Sequence, residues 1–128
     1  MPRIQGDFAA LLHAVASGGD FAAAQLSEEA TMTVIIAARG YPGAPAKGMS
    51  ISGIEAAEAI KGVTVFHAGT AVADSRLVAS GGRVLAVTAA ADTLAQARDR
   101  AYRAVDRIDF ADGFSRRDIG WRELERQT

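Results

Sequence analysis

The chain has 128 residues, 49% of them hydrophobic and 23% charged, with a formal net charge of −1 at pH 7 and no cysteine. That length fits one domain with its own core, the composition excludes intrinsic disorder, and the near-zero charge offers no field that would gather nucleic acid or an anionic membrane. Missing cysteines exclude disulfides and thiolate metal sites and fit a reducing, cytoplasmic compartment, while the longest apolar runs, such as residues 33–38 and 84–91, are too short to cross a bilayer and no signal-peptide segment opens the chain.

Asp7 stands before Phe8, Leu11, Leu12 and Val15, apolar positions at helical spacing, and can cap the free N–H groups of a first turn. A helix over 7–17 is predicted, closed by Gly18-Gly19. Residues 20–26 read as a short helical turn, and 27–29 as a polar connection. The β-branched run in 30–38 predicts a strand. Residues 39–48 hold three glycines and two prolines and must be a loop. Residues 49–52 read as a short strand and 54–60 as one or two helical turns.

A strand over 63–68 follows, then a turn near 73–75, a return strand over 76–79, a turn at 80–82 and a strand over 83–90. Turns this close together imply an antiparallel meander rather than a βαβ crossover. Thr93 and Gln96 have capping-box spacing. The helix they open runs to about Ile108, with Leu94, Ala97, Ala101, Val105 and Ile108 as its buried stripe and Asp99 and Arg103 paired on its wet face. In the tail, 110–124, the single tryptophan, Trp121, is the expected anchor to the core. The class is α+β, with an antiparallel sheet covered on one side.

Known reaction constellations are scarce. His13 and His67 are far apart and lack metal-ligand spacing. Ser52 is not in a G-x-S-x-G elbow, and Lys47-Gly48 reverses the P-loop order. Glu28, Glu29, Glu55 and Glu58 read as solvated charges. Three segments stand out. Gly40-Tyr41-Pro42-Gly43 with Lys47-Gly48 can offer backbone N–H groups and an ammonium to an anion, or be a plain surface turn. His67 beside Gly69-Thr70 can face a ligand, or be structural. Arg83 after Gly81-Gly82 can fork a phosphate, or be the exposed arginine of a hairpin turn.

Taken in order, Gly40-Tyr41-Pro42-Gly43, Lys47-Gly48, Ile51-Ser52-Gly53, Val65-Phe66-His67-Ala68-Gly69-Thr70, Gly81-Gly82-Arg83-Val84-Leu85, Ala101-Tyr102 and Arg116-Arg117-Asp118-Ile119-Gly120 resemble the C-terminal domain of the phosphoribosylamine–glycine ligases, the glycinamide ribonucleotide synthetases of the ATP-grasp superfamily. The resemblance covers roughly 30–124, and the 7–17 helix resembles the last piece of the preceding ATP-grasp portion. It implies a division into 1–29 and 30–124, and a small antiparallel β-rich domain of barrel-sandwich hybrid type, flanked by an N-terminal helix and a long helix after the main strands.

The family joins 5-phosphoribosylamine to glycine with ATP and magnesium in purine synthesis, through a glycyl phosphate. The resemblance therefore implies a piece of a longer ligase, inactive alone, whose partners are the N-terminal and ATP-grasp domains that would precede Pro2. ATP and magnesium belong to those domains; no catalytic or metal role falls on this chain. The implied substrate contacts are Lys47, Gly48, His67, Gly69, Thr70 and Arg83, with Lys47 and Arg83 directed at phosphate. Arg116, Arg117 and Asp118 are expected to pin the tail by ion pairs. A phosphorylated-ligand module acting alone and a self-associating structural domain are the alternatives.

Overall fold

A computed structural model describes residues 2–20 and 22–127. The chain opens with β1 (Ile4–Gln5) and α1 (Phe8–Ser17). Asp7 Oδ1 accepts from the Ala10 N–H at 2.8 Å, and Gly18 ends the helix at φ 68°, where a side chain would be strained. The short β2 (Gln25–Leu26) pairs antiparallel with β1, so the segment expected as a helical turn is instead the return arm of a small ribbon. Phe21 lies outside the described residues. No residue of α1 is buried; its apolar positions Leu12 and Val15 face outward.

β3 (Ala30–Ala38) begins the main body, and the loop over 39–48 follows as predicted. Residues 49–52 form two isolated bridges rather than a strand, Ser50 to Val78 and Ser52 to Asp109. Next come α2 (Ile54–Glu58), β4 (Val63–His67), β5 (Thr70–Ala73), β6 (Arg76–Ala79) and β7 (Arg83–Ala91). All pairings are antiparallel, but the order departs from a meander. β5 and β6 form a separate two-stranded ribbon, and β7 pairs with β4 on one side and β3 on the other. The four-stranded sheet, in the order β4-β7-β3-β8, is completed by β8 (Gly113–Phe114), which follows α3 (Leu94–Val105). These sheets stay open and do not close into a barrel; the α+β class stands.

Pleating explains the core. Met32, Val34 and Ile36 on β3 and Leu85, Val87 and Ala89 on β7 face one side, where α3 lies. α3 meets them with Ala97, Ala101, Ala104 and Val105, small residues that bring the helix close to the sheet. Thr93 Oγ1 accepts from the Gln96 N–H at 3.2 Å, and Asp99 pairs with Arg103 at 3.7 Å. The helix ends at Val105, a turn earlier than its apolar stripe predicts. Ile108 still packs against the core from the turn that follows.

The tail is held differently from expectation. Trp121 opens α4 (Trp121–Arg126), is 42% exposed and carries Arg122 over its ring. The anchor is Tyr102 on α3. Its hydroxyl donates to the Arg116 carbonyl at 2.8 Å and accepts from the Ile119 N–H at 3.0 Å, and the guanidinium groups of Arg98 and Arg117 lie over its ring. Arg98 also donates to the Ile119 and Arg117 carbonyls. Arg117 reaches Asp106 at 2.7 Å and so ties the tail to α3, whereas Arg116 and Asp118 pair with each other.

Candidate functional site

The three glycine-containing segments converge at one end of the large sheet. The Ala38 N–H donates to the Gly82 carbonyl at 2.8 Å, and the Tyr41 ring lies against Gly82, where a Cβ would stand 2.5 Å from Cδ2. The Ala68 and Gly69 N–H groups both donate to the Val84 carbonyl, and the Gly69 carbonyl accepts from Ser80 and Gly81. The Gly48 N–H donates to the Ala79 carbonyl at 2.8 Å, fixing the end of the 39–48 loop to β6. Gly69 and Gly81 touch backbone to backbone, an approach that a side chain at 69 would prevent.

Arg83 owes its direction to a bulge. Between their last two pairings β3 advances one residue, Ile36 to Ala37, while β7 advances two, Leu85 to Arg83. Val84 is the extra residue. In an unbroken ladder Arg83 would share the pleat side of Leu85 and point at the helices. The bulge turns it to the opposite side, where it lines a groove of about 270 Å³ with Thr33, Ile35, Tyr41, Phe114 and Arg116. Arg83 is exposed and makes no ion pair among the described residues, while Arg116 is committed to Asp118 at 2.6 Å.

The other predicted contacts lie around this end but do not meet Arg83 in one cluster. His67 pairs with Leu85 across the ladder, so it follows the helix-side pleat; it is exposed at the strand end, and its Nδ1 is 3.1 Å from Thr70 Oγ1. Lys47 is exposed on the loop beside the root of the β5–β6 ribbon. Gly48, Gly69 and Thr70 contribute backbone position. Titration is perturbed at the rim: the hydrogen bond from Arg116 holds the Asp118 carboxyl below its usual range, and the same bond raises the guanidinium. Among the described residues no three His, Asp or Glu side chains gather to hold a metal ion, and no helix is long and apolar enough to cross a membrane.

Sequence reasoning passes over the groove's floor and wall, Ile35, Phe114 and Ser115. β3 alternates threonine with apolar residues over 31–34, but from Ile35 to Ala38 it is apolar on both pleat sides, so alternation does not mark an outer face at the groove. The available signal was the pair of threonines opposite one another, Thr33 and Thr88, whose hydroxyls lie 2.8 Å apart on the outer side.

Residues 31–122 match the family of the phosphoribosylglycinamide synthetase C domain. A phosphoribosylamine–glycine ligase from Mesorhizobium japonicum is 51% identical over 128 residues, covering 99% of this chain and 30% of its own. The chloroplastic enzyme of the same name from Arabidopsis thaliana is 45% identical over 131 residues, covering 99% of this chain and 24% of its own. A crystal structure of phosphoribosylamine–glycine ligase from Thermotoga maritima superposes with a TM-score of 0.73 at 32% identity, over 87% of this chain and 27% of that one. The chain thus spans less than a third of the length of these relatives.

Proposed function

The chain belongs to the phosphoribosylglycinamide synthetase C-domain family, and from that premise we propose that it acts as the closing domain of a ligase joining 5-phosphoribosylamine to glycine. Its part is to hold the phosphate end of the ribosyl substrate. One observation carries this reading: the bulge at Val84 delivers to the outer face of the sheet a guanidinium that makes no ion pair among the described residues, at the end where the three glycine-containing segments meet.

A guanidinium without a carboxylate partner can give two parallel N–H donors to phosphate oxygens. Lys47 adds a mobile positive charge from the neighbouring loop. Gly69 lets its turn sit directly on Gly81 and the Arg83 carbonyl, which fixes the end of β7 that carries the guanidinium. His67, with Nδ1 at the Thr70 hydroxyl, orients that hydroxyl rather than taking a proton from substrate. ATP and magnesium supply the activation of glycine as an acyl phosphate in such a ligase. In this reading those groups are held by the part of the ligase that the matched relatives carry beyond this chain. The working compartment is the cytoplasm.

The test is a chimera in which this chain replaces the matched 30% of the Mesorhizobium japonicum ligase. We expect turnover from the chimera and none from the chain alone. Charge-assisted contacts are worth about 1.5–3 kcal/mol, so Arg83→Ala should raise KM for the ribosyl substrate at least about tenfold. KM for glycine and ATP should not change. A folded chimera that turns over with an unaltered KM in both Arg83→Ala and Lys47→Ala would refute the assignment.

A further inference from the structure

The turn that leads into β8 holds the only Asp-Gly step in the chain, Asp112-Gly113, in a sequence that has no asparagine. The fold needs both residues. A Cβ at 113 would run into the ring of Phe110, which is itself buried and has no room to swing aside, so the position calls for glycine. Asp112 supplies the carboxylate that meets Arg39 at 3.0 Å, with its side chain only 19% exposed. An aspartate followed by glycine is the arrangement most open to attack on the side-chain carboxyl carbon by the next amide nitrogen, because no Cβ stands in the way. Packing and charge together therefore place a reactive step at this turn.

The same turn holds the reacting atoms apart. The Gly113 N–H donates to the Phe110 carbonyl at 2.8 Å. Arg39 grips Asp112 twice: its guanidinium holds the carboxylate, and its main-chain N–H donates to the Asp112 carbonyl at 2.7 Å. We propose that Asp112-Gly113 is a site of isoaspartate formation, and that Arg39 is the clasp that sets its rate. When the turn opens, the Gly113 nitrogen attacks Cγ of Asp112. An N–Cγ bond forms, and the carboxyl hydroxyl leaves as water with the proton of that nitrogen, giving a five-membered succinimide. Water then adds to one of its two carbonyl carbons. Opening at the Cγ side restores aspartate; opening at the main-chain side leaves the backbone running through Cβ and Cγ, one methylene longer. That extra atom lies just before β8, whose pairs with β3 are Gly113 to Ala38 and Phe114 to Ala37. So short a ladder cannot absorb the slip, and Phe114 leaves the groove beside Arg83.

The purified chain is incubated at neutral pH and physiological temperature, folded or in guanidinium chloride, and then digested with trypsin. Cleavage after Arg107 and Arg116 releases 108–116 as one peptide, with Asp109 as an internal comparison. Without asparagine there is no deamidation to confuse the count. Isoaspartate is quantified by methyl transfer from S-adenosylmethionine with an isoaspartyl methyltransferase. Electron-transfer fragmentation places it, since the isomer has the mass of the parent. In the folded chain it should accumulate at 112 and not at 109, and faster at 112 in denaturant, where the turn is open. Arg39→Gln should raise the folded rate by about two- to fivefold, the span an exposed ion pair covers, and Arg39→Lys should fall between that variant and the wild type. The Arg39 side chain is 72% exposed, so neither change disturbs the core. No isoaspartate at 112 in the folded chain, after a time that converts the denatured one, overturns the site. A folded Arg39→Gln variant that reacts at the wild-type rate overturns the clasp. If that variant melts below the incubation temperature, the wild type in about 1 M salt, which screens the pair, decides instead, with an unchanged rate as the contrary result.

Discussion

Replacing Gly69 by alanine tests whether backbone packing builds the glycine-containing end. A Cβ at 69 would stand 2.7 Å from the Arg83 carbonyl oxygen and 2.9 Å from the Gly81 Cα, both main-chain atoms that no rotamer change can move. Forcing an atom into a filled site costs about 1–3 kcal/mol. Against this, alanine restricts the unfolded chain and returns about 0.4–1 kcal/mol, because Gly69 has no positive φ that alanine would resist. The net is a loss of about 1–2 kcal/mol. With an unfolding entropy of about 2.1 cal/mol/K per residue, 128 residues make 1 kcal/mol worth about 4 °C, so Tm should fall by about 4–7 °C. Gly82→Ala is the control. Its Cβ would also meet a neighbour, at 2.5 Å, but that neighbour is the exposed Tyr41 ring, which can swing aside, so Tm should move by no more than about 2 °C. Calorimetric melting of the two variants decides. If Gly69→Ala melts with the wild type, or Gly82→Ala is the less stable of the two, the reasoning fails.

Three further outcomes are expected. Tyr102→Phe removes one hydroxyl that serves both Arg116 and Ile119; it should cost about 1–2 kcal/mol and speed hydrogen exchange across 113–127 more than across the sheet. Asp118, its pKa depressed by Arg116, contributes stability that is fully present above the ordinary carboxylate range and is lost as pH falls through the depressed folded value. Fluorescence of Trp121, the sole tryptophan, should therefore report loosening of the tail on acidification, and Arg116→Gln should shift that change to higher pH. Leu85→Ala should cost about 2–5 kcal/mol by urea unfolding, since Leu85 is fully buried, whereas Val72→Ala on the exposed ribbon should stay within about 0.5 kcal/mol.

Elements with a strong local signal were legible in the sequence: Asp7 and Gly18 mark the two ends of α1, the β-branched run from Ala30 marks β3, and Thr93 marks the start of α3. The sheet order was not. Short turns on both sides of 76–79 look like a meander, yet β6 is satisfied by β5 and by the 48–51 segment, leaving β7 to reach back to β4. That choice depends on non-local pairing, which spacing does not encode. Trp121 misled because a large aromatic side chain implies burial, whereas the polar hydroxyl of Tyr102 found two backbone partners and took the anchoring role. At the candidate site, Lys47, His67 and Arg83 were visible as residue types. The separation of His67 and Arg83 onto opposite sides of the sheet was not, because it turns on a single residue left out of the ladder, Val84.

That one residue also divides the chain into places where length can vary and places where it cannot. An affinity tag or a few added residues at Asp74 and Ser75, the tip of the β5–β6 ribbon, would lengthen a structure already outside the main sheet. Adding a residue between 82 and 85 would instead push the arginine off its pairing with Ala37, and deleting Val84 would close the bulge and take a fully buried valine out of the core, so any version of this protein tailored for use should keep that count.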